Sequence, residues 1–219
     1  MNSTIFHLLL EGIGETFYMV IVSSLAAYIF GIPLGVLLFV TDKNGICANR
    51  AINLIVGFLI NVVRSIPFLI LLVAILPFTR LVVGTTIGST ATIVPLVVAA
   101  APFVARMVES SLKEVDPGVV EAAKAMGSST WQIIYKVILP EAKPSLLVGA
   151  TITLATVLGY SAMAGFVGGG GLGAIAVNYG YYRYQTDVML ITVALLVIVV
   201  QIFQEAGTHL VNRIDKRIN

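Results

Sequence analysis

The sequence has few of the residues from which catalytic and metal sites are usually built. Cys47 is the only cysteine among 219 residues, which excludes an intrachain disulfide and a cysteine-based metal site. The two histidines, His7 and His209, lie at opposite ends of the chain, and we interpret them as solvated or interfacial. Only 11% of the residues are charged, and the absence of paired carboxylates or a histidine cluster near the bilayer argues against a membrane enzyme.

Apolar residues, in contrast, are abundant. They make up 58% of the chain, and the mean hydropathy of +0.99 is far outside the range of soluble domains. Because each membrane-crossing helix needs about 20 mostly apolar residues, no separate soluble catalytic domain fits beside the spans. Residues 1–13 carry no Lys or Arg, and the apolar run after them is longer than a signal-peptide core, so we expect a retained first span.

The apolar stretches predict an all-α integral membrane protein with five transmembrane helices in a single domain, 1–219. We place the spans at about 15–41, 52–76, 86–108, 144–166 and 187–210, with Pro77 marking the end of the second. A polar segment at about 116–140 joins the third and fourth spans.

Positive charges divide unevenly between the two sides that five spans create. One side has only Arg80 and Arg183, whereas the other includes the segment 116–140 and the charged tail 213–217. This bias predicts that the amino terminus is outside and that segment 116–140 and the carboxyl terminus are cytoplasmic. With an even number of spans the positive charges would be spread over both sides of the membrane, so the bias supports five spans.

Segment 116–140 has the pattern of two short helices joined by a turn. Asp116 and Pro117 are an N-cap and a first helical residue, and Gly127 can supply the left-handed residue that ends the helix. A second helix is expected from the caps at 128–130 through Lys136, ending at Pro140. These signals are also compatible with an ordinary amphipathic surface loop.

The spacing within this segment resembles the coupling loop of ABC importer permeases. Glu-Ala-Ala at 121–123 is followed by Gly127 and, after nine intervening residues, by Val137-Ile138-Leu139-Pro140, where the family usually has Ile in place of Val137. The resemblance implies that a short helix docks in a groove of an ATP-binding subunit. We expect the docking residues to be Glu121, Ala122, Ala123, Met126 and Gly127.

Three further stretches, 64–68, 102–106 and 159–165, resemble the methionine ABC importer permease, a compact five-span member of this group. The resemblance implies the type I ABC importer permease fold in the bacterial cytoplasmic (inner) membrane. It also implies a homodimer of this chain, two ATP-binding cassette subunits on the cytoplasmic side and an external methionine-binding protein. Besides membrane lipid no other partner is expected, and nucleic acid is not one.

Four residues are candidates for the translocation path or its gate. Arg64 is the one charge well inside an apolar span and could line a cavity or brace a gate, or it could snorkel or brace its own helix. Met163, set among small residues, could close the path between two subunits or could simply fill space. Tyr160 and Ser161 could bind a passing solute or serve helix packing.

Two glycine patterns bear on nucleotides. Residues 168–173 contain G-x-G-x-x-G without a preceding strand, so we predict a flexible external turn there, followed by an interfacial belt of Tyr179, Tyr181, Tyr182 and Tyr184. The phosphate-binding pattern G-x-x-x-x-G-K-[ST] is absent, so ATP and Mg are expected on the partner ATPase, with no cofactor in this chain. The first alternative is a permease for another small amino acid or organic solute. A secondary transporter or channel ranks behind it, because intramembrane acids for ion coupling are lacking.

Overall fold

All regular structure in residues 3–214, the part of the chain that the computed structural model describes, is helical. Four of these helices are long and apolar enough to cross a membrane, and one bent pair of helices provides a fifth candidate span. The all-α membrane fold predicted from hydropathy is therefore confirmed. The tail residues 215–217, which contribute to the charge bias, lie outside the described residues.

Helices α1, Ser3–Thr41, and α5, Ser89–Lys113, make the most extensive contact between any two helices in residues 3–214. A β-carbon on Gly35 of α1 would lie 2.6 Å from the carbonyl oxygen of Ala105 on α5, and one on Gly31 would overlap Val104. In a bilayer, small residues of this kind let two backbones approach closely and gain packing contacts. Helix α1 also begins well before residue 15, where the apolar pattern placed the start of the first span.

The second predicted span is broken. Helix α2, Arg50–Ser65, and helix α3, Phe68–Ala74, meet at an angle of 102°. Between them Ile66 is extended, with φ −82° and ψ 124°, and Pro67 has no N–H to continue the helix. The residue before a proline is pushed out of the helical region, so the continuous helix expected over 52–76 cannot form.

A short helix, α4, covers Leu76–Val83 and ends at the left-handed Gly84. Pro77, which was expected to end the second span, instead lies in the first turn of α4, where a missing N–H breaks no intrahelical hydrogen bond. The bent pair that forms the second candidate span ends at Ala74, close to the expected end, but Pro77 begins the next helix because proline suits the first turn of a helix.

The polar segment forms α6, Pro117–Ala125, and α7, Thr130–Gln132, followed by a π-helical turn, Ile133–Ile138, and α8, Leu139–Glu141. Helix α9, Lys143–Ala164, then covers the predicted fourth span, 144–166, except for its last two residues.

The last third of the chain turns back on itself before the final helix. A 3₁₀ turn at Gly165–Val167 leads to α10, Gly171–Ile175, and a π-helical turn, Ala176–Tyr181. Helix α11, Thr186–Ile214, contains the predicted fifth span.

Buried side chains such as Val20, Leu96 and Val157 concentrate where α1, α5 and α9 meet. Helix α2, by contrast, exposes large apolar side chains, including Leu54 and Phe58. An apolar surface of this extent would be unfavourable in water but carries no such penalty against lipid tails or another subunit.

Candidate functional site

The helix α6, which we call the coupling helix, begins with the cap that the sequence predicts. The Asp116 carboxylate accepts a hydrogen bond from the Gly118 N–H at 2.7 Å, and Pro117 is the first helical residue. The carboxylate satisfies one of the free N–H groups of the first turn, and proline removes another at no cost. The start of the coupling helix is therefore fixed by local chemistry.

The end of the coupling helix is also as predicted. Gly127 is left-handed, with φ +77°. Its N–H donates to the Lys124 carbonyl at 2.9 Å, and the Ser128 N–H donates to the Ala123 carbonyl at 3.1 Å. This pair of bonds is a Schellman motif, which requires a left-handed residue and so favours glycine. It turns the chain sharply after Met126.

The coupling helix exposes most of its surface. Ala123 faces inward and is only 2% exposed, whereas Glu121 and Ala122 are exposed and Met126 is 78% exposed. Val119, one turn before Ala123 on the same side of the helix, is also exposed. A methionine so open to its surroundings offers a flexible apolar contact to a partner. The four exposed residues form what we call the coupling surface.

The second part of the segment differs from the prediction. Ser129 and Gln132 form the expected capping box, with the Ser129 N–H donating to the Gln132 side chain at 2.8 Å. The helical structure does not end at Pro140, however, because Pro140 lies within α8, directly after the π-helical turn. In that turn the Leu139 N–H donates to the Ile134 carbonyl. The wider π-helical ring shifts the hydrogen bonds away from the proline, which explains how the helix continues.

A network of charges ties the end of α5, just before the coupling helix, to two other helices. Arg106 Nη1 donates to Glu109 Oε2 at 2.7 Å, an ion pair between residues three apart on one helix face. Lys113 Nζ lies 2.8 Å from Glu109 Oε1 and 2.9 Å from Asp42 Oδ2, just after α1. Arg106 Nη2 donates to the Gly57 carbonyl and the Asn61 side chain on α2, at 3.1 and 2.9 Å.

The charges of this network change the pKa of Asp42. The hydrogen bond from the Lys113 ammonium lowers the pKa of the Asp42 carboxyl below its usual value, with the nearby charges of Lys113 and Lys43 adding to the effect. Asp42 also lines a cleft of 360 Å³ between the loop after α1 and the coupling helix, together with Ile46 and Val120. The sequence reasoning missed Asp42, because nothing local indicates its contact with α5.

The four candidate path residues lie in different surroundings. Tyr160 stacks on Phe68 of α3, with ring centroids 4.5 Å apart and planes 5° from parallel. Met163, one turn later on α9, is 47% exposed. Ser161 is 2% exposed and donates its hydroxyl to the Leu158 carbonyl at 2.8 Å. Arg64 is exposed at the end of α2, and its guanidinium makes no hydrogen bond or ion pair to any other residue in 3–214.

The glycine-rich stretch 168–173 is more ordered than the predicted turn. Its second half belongs to α10, and Gly171, Leu172 and Gly173 are buried. A β-carbon on Gly173 would lie 2.8 Å from the backbone carbon of Ala162 on α9, so the two backbones touch. The prediction of an open turn is therefore wrong for 171–173, since glycine serves close packing there.

Two side chains of α1 hold this stretch in place. Glu15 Oε2 accepts a hydrogen bond from the Gly171 N–H at 2.6 Å, and Thr16 Oγ1 accepts one from the Leu172 N–H at 2.9 Å. The sequence reasoning missed both, although an acid at the edge of a long uncharged run was an available signal. No strand precedes the glycines within residues 3–214, in keeping with the rejection of a dinucleotide site.

The tyrosines that follow face mostly outward. Tyr181, Tyr182 and Tyr184 are exposed, and the Arg183 guanidinium lies 4.3 Å from the ring centre of Tyr179. This arrangement suits an interfacial aromatic belt, which stays a prediction. No group of three or more His, Cys, Asp or Glu side chains suitable for a metal ion occurs among the residues that the structure describes.

Comparison with known proteins places this geometry in a family. The family model described as "Binding-protein-dependent transport system inner membrane component" matches residues 27–217. "Probable D-methionine transport system permease protein MetI" from Vibrio cholerae is 52% identical over 210 residues, which cover 96% of this chain and 93% of that protein. "Methionine import system permease protein MetP" from Bacillus subtilis is 45% identical over 181 residues, covering 83% of this chain and 82% of that protein.

The fold comparison agrees with the sequence comparison. A chain from "Inward facing conformations of the MetNI methionine ABC transporter" has a TM-score of 0.97 and 50% sequence identity, covering 99% of this chain and 100% of that chain. The resemblance to ABC importer permeases and the fold that it implied are confirmed. The chain belongs to the family of binding-protein-dependent transport system inner membrane components.

Proposed function

We propose that this chain is the permease subunit of an ATP-driven importer that carries methionine across the bacterial cytoplasmic membrane. The observation that carries the proposal is the coupling helix, which is capped at both ends and exposes Glu121, Ala122 and Met126. Because the hydrogen bonds at both ends of this helix are satisfied locally, a partner can displace the helix as a rigid unit without unfolding its ends. The high identity to permeases named for methionine transport supports methionine as the cargo.

The working complex that we propose contains two copies of this chain, two ATP-binding cassette subunits and an external methionine-binding protein. The match to a chain of the MetNI methionine ABC transporter supports this composition. This chain carries no phosphate-binding loop motif, so the partner subunits bind ATP and Mg and hydrolyse the nucleotide, and this chain is not itself an enzyme. Closed two-fold symmetry would place the path on the dimer axis.

The orientation follows from the charge bias of the loops. The amino terminus lies outside, and the carboxyl terminus and the coupling helix lie in the cytoplasm, where the ATPase subunits are. This multi-pass arrangement presents the coupling surface to the ATPase on one side and the exposed tyrosines after α10 to the other side.

Transport would proceed by alternating access, in which the ATPase subunits close on ATP and move the coupling helices. We propose that Met163, which is half-exposed on α9, meets its symmetry mate and closes the path. Tyr160 and Arg64 would line or brace the path near this gate. Ser161 would contribute by fixing the backbone of α9 beneath them, because its hydroxyl is bound to the Leu158 carbonyl.

Co-purification tests the proposal directly. The tagged chain, expressed with the ATP-binding cassette subunit encoded by the same bacterium, should purify as a complex with two copies of each by native mass spectrometry.

Unlabelled methionine should compete with labelled methionine for uptake by this complex, and other small amino acids should not. Competition by another solute alone would assign a different cargo, and a chain that transports without any ATPase would indicate a secondary transporter.

A further inference from the structure

Glu109 occupies a central position in the charge network at the end of α5. It is only 8% exposed, and its two carboxylate oxygens accept hydrogen bonds from different cations, Arg106 and Lys113. A buried carboxylate is retained only where such partners compensate its lost hydration. Because residues 106, 109 and 113 share one helix face, Glu109 orients both cations at once.

Each cation reaches a different helix. Lys113 lies 2.9 Å from Asp42 at the end of α1. Arg106 uses its second nitrogen to donate to the Gly57 carbonyl and to Asn61 on α2. Glu109 therefore connects two sets of contacts. We call them the α1 arm, Lys113 with Asp42, and the α2 arm, Arg106 with Gly57 and Asn61.

The α2 arm has more influence on helix positions than the α1 arm, because close backbone packing already fixes α1 against α5. Helix α2 buries only Gly57 and Ile60. Apolar surface gives little association between helices in lipid, so the position of α2 depends on its polar contacts. These include the contacts with Arg106 on α5 and the hydrogen bonds that the Asn53 side chain donates to Leu38 and Thr41 on α1, at 2.8 and 3.2 Å. A β-carbon on Gly57 would lie 3.2 Å from Arg106 Nη2, which shows how closely the guanidinium approaches the α2 backbone.

The network also lies between the coupling helix and the proposed gate. The N-cap Asp116 follows Lys113 after only two residues, of which Val115 is buried, so α5 and the coupling helix are joined by a short, anchored connection. At its other end α2 leads through Pro67 to Phe68, which stacks on Tyr160 one turn before Met163. A displacement of the coupling helix thus has a contiguous route of packed groups to the gate.

We propose that Glu109 is a positioning residue for transport: it holds Arg106 against α2, so that movement of the coupling helix is transmitted to α2 and onward to Phe68 and Tyr160. The inference rests on the proposed function and adds a residue outside the coupling surface and outside the path. The inference requires that loss of the Arg106 contacts with α2 allow ATP hydrolysis to continue without movement of the gate.

Three variants test the transmission in the complete complex of permease and ATPase subunits. Glu109→Gln removes the charge that orients both cations. Arg106→Lys keeps a cation near Glu109 but lacks the planar fork needed to reach α2 at the same time. Asn61→Ala removes one acceptor at an exposed position of α2, and it serves if Glu109→Gln fails to assemble. Glu114→Gln, an exposed acid at the end of α5, is the matched control.

The first readout is the number of methionine molecules taken up per ATP hydrolysed. We expect ATP hydrolysis to persist in the three test variants while the uptake-to-ATP ratio falls by about two- to thirtyfold, the range typical of coupling mutations. Glu114→Gln should match the wild type. A merely structural role would reduce assembled complex, hydrolysis and uptake together and leave the ratio unchanged, and that result would overturn the inference.

The second readout does not depend on the cargo. In a Met163→Cys background lacking Cys47, the rate of intersubunit disulfide formation should differ between nucleotide-free and nucleotide-trapped complexes, and Glu109→Gln should abolish that difference. An unchanged nucleotide response in Glu109→Gln would refute the transmission role. If the Met163→Cys complex with Glu109 intact shows this response while the wild-type complex takes up no methionine, only the proposed cargo is refuted, so the two failures are distinguishable.

Discussion

Replacement of Gly127, which directly follows the coupling surface, by Asp tests docking at that surface with little disturbance to the fold. Within the chain, a β-carbon at Gly127 has no neighbouring atom within 4 Å, so the new side chain meets open space. The left-handed backbone, with φ +77°, costs an ordinary residue about 1 to 2 kcal/mol, and Asp and Asn tolerate it better than most. Folding and membrane insertion should therefore be almost unaffected.

The cost should appear when the coupling helix docks. A carboxylate at Gly127 would be desolvated against the ATPase, and an unpaired interfacial charge typically costs about 2 to 5 kcal/mol. That range corresponds to a loss of association from about thirtyfold to several thousandfold. We expect the Gly127→Asp dimer to insert normally, to bind the ATPase weakly and to show little substrate-stimulated ATP hydrolysis or uptake.

Gly127→Asn is the matched control, because Asn has the size of Asp and a similar tolerance for left-handed backbone but no charge. Uptake in proteoliposomes and retention of the ATPase on a tagged permease measure both variants at equal membrane amounts. Normal uptake by Gly127→Asp would mean that the segment is a passive surface loop. Equal defects in the Asn and Asp variants would refute the electrostatic argument and point to a purely steric one.

The remaining predictions concern topology, the gate and pH. In a chain lacking Cys47, Tyr184→Cys should react with an impermeant thiol reagent in intact cells and Lys136→Cys only after permeabilisation; labelling of the latter in intact cells would contradict the five-span topology. Met163→Cys should form an intersubunit disulfide under oxidation, and its absence in verified dimers would assign Met163 to packing. Because the pKa of Asp42 is lowered in the folded chain, its stabilising effect is present at neutral pH and is lost as the pH falls through that lowered value. The difference in thermal midpoint between Asp42→Asn and wild type should therefore shrink from about pH 6 to about pH 3, and a difference that widens would show the sign to be wrong.

Features encoded within a few neighbouring residues could be predicted from the sequence. The Asp116 cap and the Gly127 turn depend on bonds that span at most five residues, and both appear as expected. The break at Pro67 was also readable locally, yet the average hydropathy across 52–76 concealed it. Apolar content measures whether a segment suits lipid, whereas proline determines whether the helix continues through it.

Contacts between distant parts of the chain could not be predicted in the same way. Glu15 and Gly171 are 156 positions apart, and nothing near either residue specifies the other. The same holds for Asp42 and Lys113, and for Arg106 and the carbonyl of Gly57. Such partners depend on how the helices pack, which hydropathy leaves open because most helix faces in this chain are apolar. The burial of 171–173 was missed for the same reason, since glycine is equally suited to a loose turn and to a tight backbone contact.

The central claim is that this chain moves methionine with energy taken from ATP on a partner subunit. The most direct test is accumulation of labelled methionine in proteoliposomes that contain the purified permease–ATPase complex, with the external binding protein added outside. We predict accumulation above the external concentration only when Mg-ATP is on the side of the ATPase, and none when the ATPase is inactive. Accumulation driven by an ion gradient without ATP, or ATP hydrolysis stimulated by the loaded binding protein without any methionine uptake, would contradict the account.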